Sequence, residues 1–127
     1  MNPKKARPRD PDRARHMVEA AKLILSFIAG RTFQDLLKDA LFRSAVERQF
    51  EILGEASPHI SSTTKAQWPS IEWVRIKNFR NLLAHDYFRT DYVEVWNVAQ
   101  NLLPALLPTL EELFADLDRQ FGPDAGV

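Results

Sequence analysis

Residues 80 to 87 read Arg-Asn-Leu-Leu-Ala-His-Asp-Tyr and crowd reactive side chains into one short stretch. The surrounding periodicity predicts that they close a helix. On a helix advancing roughly 100° per residue, Asn81 and His85 stack one turn apart. Arg80 lies beside Asn81, and Tyr87 falls close to the line of Arg80. The result is a polar strip opposite Ile76, Phe79 and Leu83. Histidine titrates near neutrality and can act as base or acid. Arginine stays charged and can fork onto two phosphate oxygens, favouring a transition state in which charge accumulates there. Asn81 could orient the imidazole or bind a phosphate oxygen. Such a strip suits cleavage of RNA, which carries its own nucleophile in the 2′-hydroxyl and needs no metal for the attack. The same residues also fit a plain helix C-terminus with a histidine near its negative end. Spacing alone does not decide between the two.

No metal or other cofactor is called for. His16 and His59 lie far from His85 in sequence, and there is no cysteine, which excludes thiol redox chemistry, disulfides and Cys-ligated zinc. No glycine-rich phosphate loop and no internal repeat is present.

The elements that must hold this strip are all helical by pattern. Residues 1–11 carry Pro3, Pro8 and Pro11 among basic charges and read as a flexible basic arm. A first helix is expected from about Asp12, with Met17, Ala20, Ala21, Ile24, Phe27 and Ile28 along one face and Gly30 as its stop. Thr32 with Asp35 makes a variant capping box. It is expected to start a long second helix running to about Ala56. Pro58 closes that helix, and residues 58–70 form a connector anchored by Trp68 and Pro69. Ser70 is expected to cap a third helix from Ile71, and Asp91 with Glu94 to start a fourth. Pro104 and Pro108 predict a kink or break in the fourth helix. The fold class is therefore all-α, an antiparallel four-helix bundle over residues 12–121, with a frayed tail at 122–127.

With 127 residues the chain suits one domain. Its 17 basic and 17 acidic side chains give a formal net charge of zero, which argues against a molecule coated in positive charge. A neutral total still permits a basic cleft. No apolar run approaches a membrane span of ~18 residues. The basic start lacks the apolar stretch of a signal peptide, so the expected location is the cytoplasm.

Arg80, four residues and then His85-Asp86-Tyr87 match the Arg-x4-6-His motif of the HEPN superfamily of helical ribonucleases. The Asp-Tyr pair narrows the resemblance to the HepT-like toxins. Ile52-Leu53-Gly54-Glu55-Ala56 resembles the family's Ile-Gly-Glu-Ala segment. Pro69-Ser70-Ile71-Glu72-Trp73 resembles its Pro-x-Ile-x-Trp segment, and Asp91 followed by Trp96 fits as well. The resemblance spans about Asp12 to Leu117. It implies a HEPN-like bundle forming a symmetric homodimer with metal-independent endoribonuclease activity. It makes Arg80 and His85 the catalytic pair, with Asn81, Asp86 and Glu55 in support. It also implies a nucleotidyltransferase antitoxin as partner, which can attach AMP to the motif tyrosine, here Tyr87. A bulky anion there would fill the cleft and repel RNA phosphates. Nothing in the resemblance explains the basic arm.

Several other residues have two readings. Gly54 within a helix suggests a close helix or subunit contact, with Glu55 near the cleft. Trp73 and Trp96 could stack on bases, although their apolar helix positions favour core packing. Tyr92 reads as a packing residue at a helix start, and His16 and His59 as surface residues. A different class of function, a non-catalytic partner or modification substrate of a nucleotidyltransferase, fits the same motif without turnover.

Overall fold

The computed structural model describes residues 9–84 and 91–122, apart from the side chains of Arg80, Asn81, Leu82 and Ala84. Among the described residues every regular element is a helix: α1 (Asp10–Ile28), α2 (Phe33–Lys38), α3 (Ala40–Ala56), α4 (Ser62–Gln67), α5 (Trp73–Ala84), α6 (Tyr92–Asn97) and α7 (Leu103–Phe121). The chain is all-α, as the periodicity requires.

The core is made by stripes at helical spacing. α1 buries Ala14, Met17, Val18, Ala21 and Ile24, while α3 buries Phe42, Val46, Phe50 and Leu53. α7 buries Leu103, Leu110, Leu113 and Leu117. α1 packs against both α3 and α7, and α5 packs on α3. Each fully buried leucine contributes about 2 kcal/mol relative to exposure. The stripes therefore supply the main force that holds the helices together.

Several expected boundaries move. The long second helix is two helices. Asp39 is extended, with φ −98° and ψ 99°, and its carboxylate accepts from the Phe42 amide at 3.1 Å to cap α3. Arg31 reaches across the break to the same carboxylate at 2.8 Å. The capping box at Thr32 and Asp35 is present in both directions. α1 begins at Asp10, two residues before the expected start, with Pro11 in its first turn, where a missing N–H costs nothing. Gly30 follows the end of α1 with φ +73°, a left-handed turn that glycine enters without strain. α5 begins at Trp73 and not at Ile71. The connector contains a 3-10 turn at Ser57–His59 and the six-residue α4.

The fourth expected helix is interrupted as its prolines demand. α6 runs into one π-helical turn at Val98–Leu102, and α7 follows directly. The Leu103 amide donates to the Val98 carbonyl, five residues back. Widening the turn relieves the crowding of Pro104 against the preceding carbonyls. Pro108 stays inside α7.

Candidate active site

The backbone of α5 carries the positions of the first half of the reactive strip, and its packing on α3 sets the register of the helix. Ile76 is buried, and Phe79 and Leu83 pack against the core. The Phe79 ring meets the Phe50 ring of α3 at 6.2 Å between centroids and 58°, a tilted contact favourable for aromatic quadrupoles. On the far side Val74 is 70% exposed, with Lys77 and Asn78 also exposed. The backbone register that turns Ile76, Phe79 and Leu83 towards the core continues as helix through Arg80 and Asn81 to Ala84. Nothing about the side chains of Arg80 and Asn81 belongs to the described structure. His85, Asp86 and Tyr87 lie outside the described residues altogether, as do residues 1–8 of the arm and 123–127 of the tail.

The start of α5 is held by named contacts. The Trp73 indole N–H donates to the Trp68 carbonyl at 3.0 Å, and the Ser57 hydroxyl donates to the Trp73 carbonyl at 3.3 Å. Both tryptophans of the helical segments, Trp73 and Trp96, are half-buried and packed on the core, in line with a packing role. Tyr92 also packs there, with the Arg43 guanidinium 5.6 Å from its ring centroid.

The connector before α5 is locked by a residue that the periodicity assigned to the arm. Asp10 is fully buried. Its carboxylate accepts from the Ser61 amide at 3.1 Å, the Ser61 hydroxyl at 2.6 Å and the Thr64 hydroxyl at 2.6 Å. This clasp joins the first turn of α1 to the first turn of α4. The sequence signal that could have found it is the Asp-Pro pair, which suits a helix start. Its partners, 51 and 54 residues away, leave no local trace.

Glu55, expected beside the cleft, is exposed near the end of α3, and its neighbour Gly54 is buried. His59 is exposed and His16 half-exposed. Among the described residues no group of three or more His, Cys, Asp or Glu side chains is placed to hold a metal ion. A cavity of about 240 Å³ lies between α5 and α7, lined chiefly by Ile76, Phe79, Val98, Leu102, Leu103 and Leu106. Its lining is apolar, and the charged residues at its edge, Glu72 and Arg75, pair with each other at 3.1 Å. No helix among the described residues is long and apolar enough to cross a membrane.

Charge is distributed unevenly around α5. The Lys65 ammonium of α4 stands over the Trp73 ring at 5.8 Å from its centroid. Burial first, and the nearby Lys77 second, hold the Lys65 amine below its ordinary value, with Asp10 acting in the opposite sense.

Comparison with known proteins agrees with the motif. The family model described as Ribonuclease HepT-like matches residues 17–113, a span that includes Arg80, His85 and most of the helical core. "Probable ribonuclease HepT" of Thermococcus cleftensis is 35% identical over 97 residues, covering 76% of this chain and 88% of that protein. "Putative RNase MJ1380" of Methanocaldococcus jannaschii is 28% identical over 95 residues, covering 75% of this chain and 87% of that protein. A second protein of that organism, "Putative RNase MJ0127", is 29% identical over 102 residues, covering 80% and 84%. No solved structure gives a significant match. With a helical core of the expected class, and a family model that covers most of the chain including the motif, the chain belongs to the HepT-like ribonuclease family.

Proposed function

We propose that the protein is a metal-independent endoribonuclease, the toxin of a toxin–antitoxin pair. The observation that carries this reading is an intact Arg80-x4-His85-Asp86-Tyr87 motif inside a family match over residues 17–113. His85 takes the proton from the 2′-hydroxyl as that oxygen attacks the adjacent phosphorus. The bond from phosphorus to the 5′-oxygen breaks, and the leaving oxygen receives a proton from imidazolium. The products are a 2′,3′-cyclic phosphate and a 5′-hydroxyl. Arg80 holds the phosphate oxygens as charge builds on them. Asn81, Asp86 and Glu55 support the pair. Two copies of the motif meet across a homodimer, which concentrates positive charge in a chain of zero net charge. A nucleotidyltransferase antitoxin neutralises the enzyme by transferring AMP to Tyr87, whose phosphate then occupies the cleft. The setting is cytoplasmic.

The test is cleavage of RNA by purified protein in EDTA, with 3′-end analysis. Wild type should cut and leave cyclic phosphate ends. His85→Ala should lose cutting by at least about 100-fold, the range for a removed acid–base group, with an unchanged helical spectrum. Normal cutting by His85→Ala refutes the catalytic assignment. Absence of cutting by wild-type dimer favours the second reading, a non-catalytic substrate of the nucleotidyltransferase.

A further inference from the structure

The side of α5 that faces α7 is short of packing atoms. α5 packs on α3 and on the Ser57–His59 turn. Towards the start of α7 the structure leaves a cavity of about 240 Å³. Ile76 and Phe79 of α5 form one wall, Val98 and Leu102 of the π-helical turn a second, and Leu103 and Leu106 of α7 a third. A second void of about 10 Å³ adjoins it, sharing Phe79 and Val98 and bounded by Phe50, Leu83 and Val95. Protein interiors hold few voids larger than a water molecule. Atoms that line such a space lack partners on one side and lose dispersion contacts there. The π-helical turn shapes the space, because its extra residue before Pro104 sets which faces of Leu103 and Leu106 turn to α5. Single π-helical turns are frequent at functional sites.

The lining selects the occupant. Ile76, Val98 and Leu103 are buried, and Phe79, Leu102 and Leu106 are half-buried. At the edge Arg75 and Glu72 neutralise each other at 3.1 Å, so that edge holds no net charge for an anion or a cation. Ser70 and Thr109 supply one hydroxyl each. That is too little for the polar rim of a nucleobase, or for a cluster of waters that each need about two to four polar partners. An apolar cavity of about 150 Å³ stays dry and takes up one benzene ring. Scaled by volume, the cavity beside α5 takes a molecule of roughly ten heavy atoms. We infer that the cavity between α5 and α7 is a binding site for one small uncharged apolar molecule, the size of a bicyclic aromatic, whose occupancy ties α5 to α7. The bound molecule supplies the contacts that α5 lacks on this side, and so it opposes local opening of α5. The inference concerns the inner face of α5 and holds whether or not the chain cuts RNA.

Indole is the probe, a bicyclic aromatic of that size with one N–H for a hydroxyl at the edge. It is titrated into the intact protein and followed through the methyl resonances of Ile76, Val98, Leu102 and Leu106. Those signals should move together and saturate, with a dissociation constant on the order of 1 mM or below. At ten times that constant, amide exchange of α5 should slow about elevenfold, because binding divides the open population by one plus the ratio of ligand to dissociation constant. Leu106→Trp fills the cavity from within and should weaken indole binding by at least about tenfold. Thr109→Phe fills it from the edge and serves if Leu106→Trp does not fold. Leu106→Ala enlarges the cavity and should still bind. Leu23→Trp, at an exposed position of α1, should bind as wild type does. Adenine, of the same size but polar, should bind at least about tenfold more weakly than indole. Circular dichroism on every variant keeps a folding defect from passing as lost binding. Methyl signals that stay unmoved up to about 10 mM indole overturn the site. Unchanged binding in a folded filling variant overturns its location. Equal binding of adenine assigns the cavity to a nucleobase and overturns the apolar occupant. If indole is silent in wild type and Leu106→Trp splits a dimer on size-exclusion chromatography, the occupant is a second copy of the chain and the inference falls.

Discussion

Replacing Asp10 with alanine should destabilise the protein by about 2–4 kcal/mol, and the clasp explains why. Among the described contacts the carboxylate accepts from the Ser61 amide at 3.1 Å and from the Ser61 and Thr64 hydroxyls at 2.6 Å each. Hydrogen bonds to a charged group are worth roughly 1.5–3 kcal/mol each, so a bare sum would be far too large. Two effects reduce it. The Ser61 and Thr64 hydroxyls are 3.2 Å apart and can pair with each other once the carboxylate is gone. Removing a buried carboxylate also removes its desolvation cost. What stays unpaired is the Ser61 amide, whose loss costs about 1–3 kcal/mol, plus the excess strength of the ionic bonds. Asp10→Asn keeps one oxygen for the amide and should cost less, about 1–2 kcal/mol. Thr64→Val removes one hydroxyl, and the cycle Asp10→Ala with Thr64→Val should show coupling above about 0.5 kcal/mol. The measurement is urea unfolding followed by circular dichroism, with all variants at equal protein concentration. If Asp10→Ala unfolds within about 0.5 kcal/mol of wild type, as an ordinary surface substitution does, the clasp is not a working tie between α1 and α4.

Phe79→Ala should cost about 3–5 kcal/mol, because the ring packs on Phe50 beneath α5. The same variant should lose RNA cutting at temperatures where it remains folded; full activity there would show that α5 need not be held rigidly. Gly30→Ala places a Cβ with nothing within 4 Å but forces φ +73° on alanine. It should cost about 1 kcal/mol from the backbone alone, and a neutral result in thermal unfolding would contradict that account. Asp39 is held below the ordinary 3.8 chiefly by the Phe42 amide and then by Arg31, and Asp35 is lowered chiefly by the Thr32 amide. The depressed values mean that both stabilise the fold fully above 3.8 and lose that contribution as pH falls through their folded values. Asp39→Asn should flatten the stability loss measured below 3.8; an unaltered acid limb would place the sensitivity elsewhere.

Helix content was legible in the chain because its cause is local. The stripes at three- and four-residue steps on α1 and α7, the capping box at Thr32 and the capping aspartate at Asp91 all work within a few residues. The disturbance at Pro104 was legible for the same reason, although its form as a π-helical turn was not, since that depends on how the turn and α7 pack on α1. The motif from Arg80 to Tyr87 was read from residue types and order, and the family match agrees with it.

Tertiary structure alone decided the rest. A helical pattern from Phe33 to Ala56 is continuous in sequence, yet Asp39 breaks it, because Arg31 and the Phe42 amide reward an extended carboxylate there. Asp10 looked like part of a solvated arm until the fold set it against Ser61 and Thr64, more than fifty residues on. The Lys65 ammonium comes over the Trp73 ring only in the folded chain, and nothing local in the sequence signals that contact. Periodicity reports which face of a helix turns inward, since burial repeats with the turn. Which distant groups then meet depends on the arrangement of whole helices, and no local repeat encodes it.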